Sequence, residues 1–374
     1  MALPHLDIES TPKGDEHTMT WSNISYPRLL PARKPDGHQP RAPRWTLVYT
    51  EPITLITSDY LAIQVESWES VGVQAFLERL RVSHDDPEEF APEAWELLTC
   101  TDDAGLLNII HLAYWRDPTH HEQWLMSSAL GRWYDGLDAG SIAFGAWHEV
   151  AQVPLDHAET IYSDPRGRFG LAACLGTQVE PMTVNGYFGA ARDRLPVSAI
   201  DPLEVAQPQR SPSTYRETRG RRLRAESHHN MAIIRSGQFW ATAGAEQLAD
   251  YEHSLEPKLS AGMRHLSDHK EATGTLALRV MTSLDRETLQ PRRETSTYAH
   301  FQSLTDLEAW AENHPTHHAI YEHAIAKNRE YGADREVTTW HEVFIQPSSA
   351  RAEYVNCDPT TGLLPSARNV LAVE

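Results

Sequence analysis

The chain has 374 residues, of which 40% are hydrophobic and 23% are charged, a composition typical of a globular protein with a sizeable core. It contains 33 Lys and Arg residues and 52 Asp and Glu residues, so its formal net charge is -19. This acidity argues against nucleic acid or an anionic membrane surface as a partner.

The start of the chain lacks the basic segment and apolar run of a secretory signal, and no stretch has the uncharged apolar length needed to cross a bilayer. Three cysteines (Cys100, Cys174 and Cys357) are odd in number and widely spaced, and no Cys-x-x-Cys pair is present. We therefore expect a cytoplasmic protein that spans no membrane, has no disulfide framework and carries no covalently attached c-type haem.

Polar, proline-punctuated stretches divide the chain. Residues 1–44 predict an extended N-terminal arm, and residues 201–227 predict a connector. The segments 45–200 and 228–350 are then two units of similar size, and 351–374 is a C-terminal tail.

The two units carry the same pattern. Trp-His-Glu-Val occurs at 147–150 and again at 340–343, and in each unit a Trp and an aromatic strand precede it. Trp124 and Trp310 are 186 positions apart, whereas the two Trp-His-Glu-Val strings are 193 apart, so the second unit has seven extra residues. A repeated string in matching context indicates an internal duplication.

Hydrophobic periodicity gives the elements in chain order. In the first unit we predict a strand at 61–65, a helix at 71–80, a hairpin of strands 94–100 and 106–115, a helix at 120–126 and a strand at 147–153. In the second unit we predict a strand at 231–235, helix over 246–266, a hairpin of strands 275–283 and 295–301, a helix from 307 onward and a strand at 337–345.

This strand–helix–strand–strand–helix–strand order is that of ferredoxin-like units. The fold class predicted is α+β, with two duplicated ferredoxin-like units forming a dimeric α+β barrel-type core of antiparallel sheets and outer helices.

One helical histidine is a candidate ligand. Pro315 breaks the helix that starts near Thr305 and opens a new one, which places His317 in the first turn of the second piece. The matching position in the first unit is Gly131, so the ring is present in only one of the two units. A helical histidine is more often packed or exposed than a metal ligand, so on the residues alone both interpretations stay open.

Four further residues are candidates with equally ordinary alternatives. His341 shares a strand face with apolar residues, and is either an acid/base in a pocket or a core histidine like its counterpart His148. Ser236 follows a buried strand and either binds a ligand or forms a turn. Arg194 and Glu159 are of residue types that mostly lie on the surface. The residues themselves predict a duplicated α+β protein with a histidine-lined apolar pocket that is compatible with haem.

The same segments resemble the haem-containing aldoxime dehydratases, including the phenylacetaldoxime dehydratases. The likeness extends from about residue 60 to residue 364 and rests on four stretches in order. They are Tyr-Phe-Gly-Ala-Ala-Arg-Asp-Arg-Leu-Pro at 187–196, Asn-Met-Ala-Ile-Ile-Arg-Ser-Gly-Gln at 230–238, Leu-Glu-Ala-Trp at 307–310 with His-Pro-Thr-His at 314–317, and Trp-His-Glu-Val at 340–343 with Tyr-Val-Asn-Cys-Asp-Pro at 354–359.

The resemblance implies a role for each candidate. It implies that His317 is the proximal ligand of haem iron and that His341 is the distal acid/base. Ser236 would bind the aldoxime hydroxyl, and Arg194 and Glu159 would orient substrate and His341. It further implies haem b that is active as Fe²⁺, an aldoxime whose nitrogen binds the iron directly, a nitrile and water as products, and a homodimer.

Three departures from the family's pattern bear on the shape of the pocket. Members often have Trp where Phe188 stands and His where Asp358 stands, and the seven extra residues within 318–337 are expected to lengthen the loop before the last strand.

The alternatives are a chlorite dismutase-like or dye-decolourising peroxidase-like haem enzyme of related fold, a non-catalytic haem carrier or sensor, and a haem-free α+β binding protein.

Overall fold

The computed structural model describes residues 24–85, 89–205, 217–347, 351–367 and 369–373. The first 23 residues of the predicted arm and positions 206–216 of the predicted connector lie outside them.

The described strands are β1 Arg44–Tyr49, β2 Leu55–Val65, β3 Ala94–Thr101, β4 Leu107–Trp115, β5 Gly145–Pro154, β6 Ala158–Tyr162, β7 Thr177–Met182, β8 Arg222–Glu226, β9 Met231–Phe239, β10 Thr275–Leu284, β11 Pro291–Phe301, β12 Thr338–Gln346, β13 Arg351–Val355 and β14 Asn369–Ala372. The described α-helices are α1 Val73–Asp85, α2 Pro118–Ser127, α3 Ala129–Asp135, α4 Ala190–Arg194, α5 Ala245–Asp250, α6 Glu256–Asp268, α7 Lys270–Thr273, α8 Leu304–Asn313 and α9 Pro315–Tyr331.

Each half follows the predicted order of elements. The first half runs β2, α1, β3, β4, α2 with α3, and β5, and the second runs β9, α5 with α6, β10, β11, α8 with α9, and β12. A π-helical turn joins α5 to α6, so the predicted helix over 246–266 is essentially continuous. The prediction of strand–helix–strand–strand–helix–strand in each half is confirmed.

The described strands form one antiparallel sheet with the order β14-β8-β13-β5-β2-β4-β3-β10-β11-β9-β12-β6-β1-β7. The core strands of each half are neighbours, in the orders β5-β2-β4-β3 and β10-β11-β9-β12. The halves join through β3 and β10, where Thr99 faces Thr282. The α+β class with a large antiparallel sheet is therefore confirmed.

The row of strands from β5 to β12 curves back on itself. The side-chain amide of Gln346 on β12 donates to the main-chain oxygen of Gln152 on β5 at 3.0 Å, and its oxygen accepts from the main-chain N–H of Gln152 at 3.3 Å. Tyr60 on β2 stacks on Tyr298 on β11 with ring centroids 4.0 Å apart, although four strand positions separate them in the sheet. Side chains of both halves fill the enclosed interior.

The two halves exchange edge strands. β6 directly follows β5 in the chain but pairs with β12, and β13 follows β12 but pairs with β5. Segment 158–182, predicted to belong to the first unit, therefore lies on the sheet edge of the second half. Local periodicity cannot show which sheet edge a strand joins, because strand pairing is non-local. The exchange brings β6 alongside β12, and with it the candidate site residue Glu159.

Helices of both halves pack on the outer face of the sheet. In α1 the buried residues Val73, Phe76 and Leu80 recur at intervals of three and four, which forms the apolar stripe of an amphipathic helix. The start predicted for α8 at Thr305 is wrong, since Ser303 is the N-cap and its hydroxyl accepts from the main-chain N–H of Asp306 at 3.1 Å.

The extra residues of the second half lie in a helix and not in a loop. α9 continues from Pro315 to Tyr331 and ends at Gly332, whereas α3 of the first half covers only Ala129–Asp135. The expected longer loop is thus corrected. Segment 318–331 contains neither Gly nor Pro, and half of its 14 residues (three Ala, two Glu, one Lys and one Arg) are good helix formers.

The three cysteines are free and buried, as expected from their number and spacing. Burial raises the pKa of the Cys100 thiol to about 12, so that thiol is an unreactive core group. Within the described ranges, no helix is both long enough and apolar enough to cross a bilayer.

Glu342 on β12 points into the enclosed interior and should make stability depend on pH. Tyr114 donates to its carboxylate at 3.0 Å and the main-chain N–H of Leu171 donates at 2.5 Å. Burial raises the pKa of Glu342 to about 7, against the opposing effect of Arg235. The folded chain therefore keeps a proton that the unfolded chain loses above the ordinary carboxyl pKa, so the contribution of Glu342 to stability is fully present below that pKa and falls as the pH rises towards 7.

We expect the wild-type protein to lose on the order of 3 kcal/mol of unfolding free energy from this carboxyl between pH 4.5 and pH 8. Glu342→Gln has nearly the same shape but does not titrate, so its stability should change less over this range. Urea unfolding followed by far-UV circular dichroism at several pH values measures the difference. Equal pH dependence in the two proteins would contradict the prediction.

Candidate active site

His341 and Ser236 face each other across a strand pair. They are directly opposite in the antiparallel register of β9 and β12, so their side chains project from the same, outer face of the sheet. Ser236 lies in the middle of β9, which excludes the alternative of a turn residue. Its hydroxyl donates at 3.4 Å to the main-chain oxygen of Trp340, a long bond that leaves the hydroxyl available to a ligand.

Two charged residues contact the same nitrogen of His341. Its Nε2 is 3.1 Å from Oε1 of Glu159 and 3.2 Å from a terminal guanidinium nitrogen of Arg194. A protonated Nε2 donates to Glu159, whereas a deprotonated Nε2 accepts from Arg194. The site therefore offers a partner to His341 in both protonation states, which is what a residue that gives up and regains a proton requires.

Arg194 and Glu159 form a two-pronged ion pair beside His341. Nε of Arg194 donates to Oε2 of Glu159 at 2.6 Å, and the adjacent terminal nitrogen donates to Oε1 at 3.1 Å. The remaining terminal nitrogen donates to the main-chain oxygen of Val184 at 3.0 Å, so the guanidinium is fixed in place. Residues of these two types are ordinarily expected on the surface, but Glu159 is buried.

Glu159 keeps its negative charge at physiological pH. Burial raises the pKa of this carboxyl, but Arg194 and His341 outweigh burial and bring the pKa down to about 2. Glu159 is thus ionised throughout the physiological range, and its negative charge stabilises a positive charge on the imidazole of His341.

His317 lies in the first turn of α9, as the helix break at Pro315 predicted. Pro315 is at the first position of α9, the N-cap is His314, and the His317 ring meets the edge of Trp310 with centroids 4.9 Å apart. Burial lowers the pKa of His317 to about 4, so the ring is neutral at physiological pH, as a metal ligand must be. Its Nδ1 is buried without a hydrogen-bond partner in the described part of the chain.

His317 and His341 belong to different layers on the same side of the sheet. His341 projects from the outer face of β12, and α8, which leads into α9, packs on that face with Leu304 and Leu307 in one apolar cluster with Val343 and Ile345. The structure therefore brings all five predicted site residues to one side of the second half, with His317 on the helix layer and the other four on or beside the sheet.

A cleft of about 430 Å³ opens on the same face of the sheet, between α6 and the hairpin of β10 and β11. Its lining includes Ser260, Met263 and Arg264 of α6 and Val280 and Thr297 of the hairpin. Thr297 lies opposite Ser236 in the register of β11 and β9, so the cleft begins one strand away from Ser236. Its volume is within the range of small-molecule and cofactor sites.

Neither His317 nor His341 lines this cleft. The cleft nevertheless adjoins the site, because α6, which forms one of its walls, packs against α9. The α6 residues were not among the predicted site residues, although Ser260, Met263, Arg264 and Ser267 recur at helical spacing and this could have indicated a shared face.

The matching place in the first half is filled. His148, the counterpart of His341, is buried, and its Nε2 is 2.7 Å from Oδ2 of Asp59. The same oxygen is 2.6 Å from Nε2 of His121. These separations are direct hydrogen bonds and are shorter than those between ligands that each lie about 2 Å from a shared metal. The expectation that His148 is a core histidine holds.

Gly131, the counterpart of His317, cannot acquire a side chain. A Cβ at this position would collide with the main-chain oxygen of Leu125. The asymmetry seen in the sequence thus has a structural cause, since the first half has no room for a ligand where the second half has His317.

Comparisons with known proteins identify the family of the chain. The family model described as "Haem-containing dehydratase" matches residues 60–363. The chain is 29% identical to the aliphatic aldoxime dehydratase of Pseudomonas chlororaphis, covering 92% of this chain and 97% of that protein. It is 28% identical to the phenylacetaldoxime dehydratase of Bacillus sp. (strain OxB-1), covering 88% and 93%.

Solved structures are similar over almost the whole chain. A crystal structure of an aldoxime dehydratase superposes with a TM-score of 0.79 at 29% identity, covering 92% of this chain and 96% of that one. An aldoxime dehydratase crystallised with butyraldoxime superposes with a TM-score of 0.82 at 28% identity, covering 92% and 95%. Since the family model spans most of the sequence, the chain belongs to the haem-containing dehydratase family.

Proposed function

We propose that this protein converts an aldoxime, R–CH=N–OH, to the nitrile R–C≡N and water, with ferrous haem b as its cofactor. The observation that carries the proposal is the position of His341, whose Nε2 contacts both Glu159 and Arg194 and which lies directly opposite Ser236. Relatives that cover most of the chain are named as aliphatic aldoxime and phenylacetaldoxime dehydratases, which supports the same substrate class.

We assign His317 as the residue that holds the haem iron. Its ring is neutral, and its Nδ1 is buried without a partner in the described part of the chain, which fits a histidine whose ring nitrogens serve a metal site. Trp310 against the ring limits its rotation. When bound, ferrous haem supplies the electron density that weakens the N–O bond of the oxime.

His341 supplies the proton. Hydroxide is a poor leaving group, so the oxime oxygen must gain a proton before the N–O bond breaks and its electron pair departs with water. The imidazolium of His341 gives that proton and becomes neutral. The neutral ring then takes the proton from the aldoxime carbon as the third bond between carbon and nitrogen forms, which restores the imidazolium and balances the loss of one water.

Ser236, Glu159 and Arg194 prepare this transfer. The Ser236 hydroxyl, on the strand beside His341, holds the oxime oxygen in line with the ring. The ionised Glu159 stabilises the imidazolium, and Arg194 fixes Glu159 through two hydrogen bonds. When the ring is neutral, Arg194 can donate to Nε2, so the ring keeps its orientation for the second proton transfer.

We also infer an architecture from this arrangement. The order of strands in each half supports two duplicated ferredoxin-like units, at 45–200 and 228–350, apart from the exchanged edge strands. The N-terminal arm, the connector at 201–227 and the tail at 351–374 then join or flank the units. The barrel-type core is proposed to form a homodimer in the cytoplasm.

The function is tested with purified, haem-loaded protein that is reduced with dithionite under anaerobic conditions. We expect nitrile to form from a panel of aryl-aliphatic and alkyl aldoximes, and expect the ferric form to be inactive. Gas chromatography quantifies the nitrile. Oxidation of a dye by peroxide with the ferric form, without any nitrile from the ferrous form, would instead favour a peroxidase-like enzyme and overturn the proposal.

A further inference from the structure

The short helix α4 carries three consecutive charged residues, and each has a different kind of partner. Arg194 holds Glu159 beside His341. Asp193 accepts from the main-chain N–H groups of Arg33 and Lys34 in the N-terminal arm, at 2.9 to 3.0 Å. Because the three side chains belong to one five-residue helix, the partners of Arg192 and Asp193 also determine the position of Arg194.

Arg192 ties α4 to α8. Its Nε and one terminal nitrogen donate to Oε2 of Glu308 at 3.0 Å and 2.8 Å. The same terminal nitrogen donates to the hydroxyl of Thr305 at 3.1 Å, and the other donates to the main-chain oxygen of Pro202 at 2.8 Å. Arg192 and Glu308 are both buried, so each depends on the other to compensate its charge.

The N-terminal arm also contacts Glu308, from the solvent side of the Arg192–Glu308 pair. A terminal nitrogen of Arg33 donates at 3.2 Å to the same Oε2 of Glu308 that binds Arg192. The Arg33 side chain is 45% exposed. Its replacement therefore leaves no buried charge unpaired, because Arg192 still pairs with Glu308. The arm therefore contacts α4 through Asp193 and α8 through Glu308.

We propose that Arg192 and Glu308 are positioning residues that set the separation between the two sides of the active site, with Arg33 as an outer support. α8 leads directly into α9, which carries His317, and α4 carries Arg194, which holds Glu159 and His341. The Arg192–Glu308 pair thus joins α8, the helix that precedes His317, to α4, the helix that carries Arg194. This inference rests on the proposed function, since it takes His317 and His341 as facing a common haem.

The link matters because proton transfer depends steeply on distance. A displacement of about 1 Å in a positioned group can lower a rate by two orders of magnitude. If Glu308 loses its charge, Arg192 is left buried without a counter-charge, and it must withdraw towards water or towards another carboxylate. Either movement shifts α4 and with it Arg194.

The test compares Glu308→Gln with Glu353→Gln in haem-loaded protein. Glu353 is also buried and ion-paired, with Arg222 and Arg224, but it lies on β13 at the edge of the first half. Three properties are measured: the steady-state kinetics with an aldoxime (kcat and KM), the C–O stretching frequency of the ferrous carbon monoxide complex, and the midpoint of thermal unfolding. The stretching frequency reports the electric field of the distal groups and is not moved by a general loss of stability.

We expect E308Q to lower kcat about tenfold to a hundredfold with a much smaller change in KM, and to shift the stretching frequency. E353Q should lower the unfolding midpoint and leave the other two quantities near those of the wild type. E308D, which keeps the charge on a shorter side chain, should recover part of the lost rate, and R33A should give a weaker version of E308Q.

The proposal is overturned if E308Q and R33A match E353Q in both kcat and stretching frequency. Should E308Q fail to fold, R33A and E308D decide by the same two readouts. Failure of the proposed function is a separate outcome, because a wild-type protein that binds carbon monoxide but makes no nitrile still shows whether these substitutions shift the stretching frequency.

Discussion

His317→Ala is expected to abolish stable haem binding while leaving the protein folded. The proposed function assigns the haem iron to this ring, which lies in the first turn of α9 beside Trp310. Alanine is a good helix former, so the substitution removes the ligand without disturbing the backbone. Reconstitution with haem, gel filtration and measurement of the Soret band per mole of protein give the result.

His318→Ala is the matched control. His318 is the next residue on the same helix, but its ring is bonded to the main-chain oxygen of Glu312 at the exposed surface. We expect H318A to keep a full complement of haem. In addition, H317G should regain a haem spectrum when imidazole is supplied in solution, since the free ligand can replace the missing ring. A full Soret band in H317A without imidazole would show that another residue holds the iron.

The sequence was sufficient for the features that depend on local chemistry. Pro315 determines where one helix ends and the next begins, and this placed His317 correctly because proline lacks an N–H and cannot continue a helix. The two-residue alternation along β9 and β12 predicted which residues of each strand share a face with Ser236 and with His341. The absence of a ring at Gly131 indicated that the two halves are not equivalent.

The site could not be assembled from local pattern alone, because its carboxylate comes from an exchanged strand. Glu159 follows the first half in the chain, yet β6 pairs with β12 of the second half and delivers Glu159 to His341. No periodicity in the sequence specifies such a partner, since every edge strand presents similar main-chain groups. The family resemblance supplied Glu159 and Arg194, and the structure gives the physical reason for them.

The length of α9 is a second feature that the sequence left open. Seven extra residues are compatible with a longer loop or a longer helix, and the comparison of the two units led us to expect the loop. The residues themselves favour the helix, because no Gly or Pro interrupts the chain from His318 until Gly332. The helix breakers are therefore a better guide to the place of the insertion than the offset between the two units.

His341→Ala is expected to keep haem and lose nearly all turnover. His341 is on β12, whereas the residue proposed to hold the iron is on α9, so haem binding should not depend on His341. Removal of the proton donor should lower kcat by roughly a hundredfold to ten-thousandfold, the usual contribution of general acid–base catalysis. The measurement is nitrile formation per bound haem by reduced protein, with haem content determined on the same sample.

His148→Gln is the control, because His148 occupies the same position of the repeated Trp-His-Glu-Val strand in the first half. Its ring bonds to Asp59 in a buried cluster, so H148Q should lower the unfolding midpoint and leave turnover per haem within a few-fold of the wild type. The comparison separates the loss of a proton donor from the loss of a buried histidine. If H341A retained near-normal turnover with haem bound, the proton would have to come from another group, and the contacts of Glu159 and Arg194 with this ring would serve structure alone.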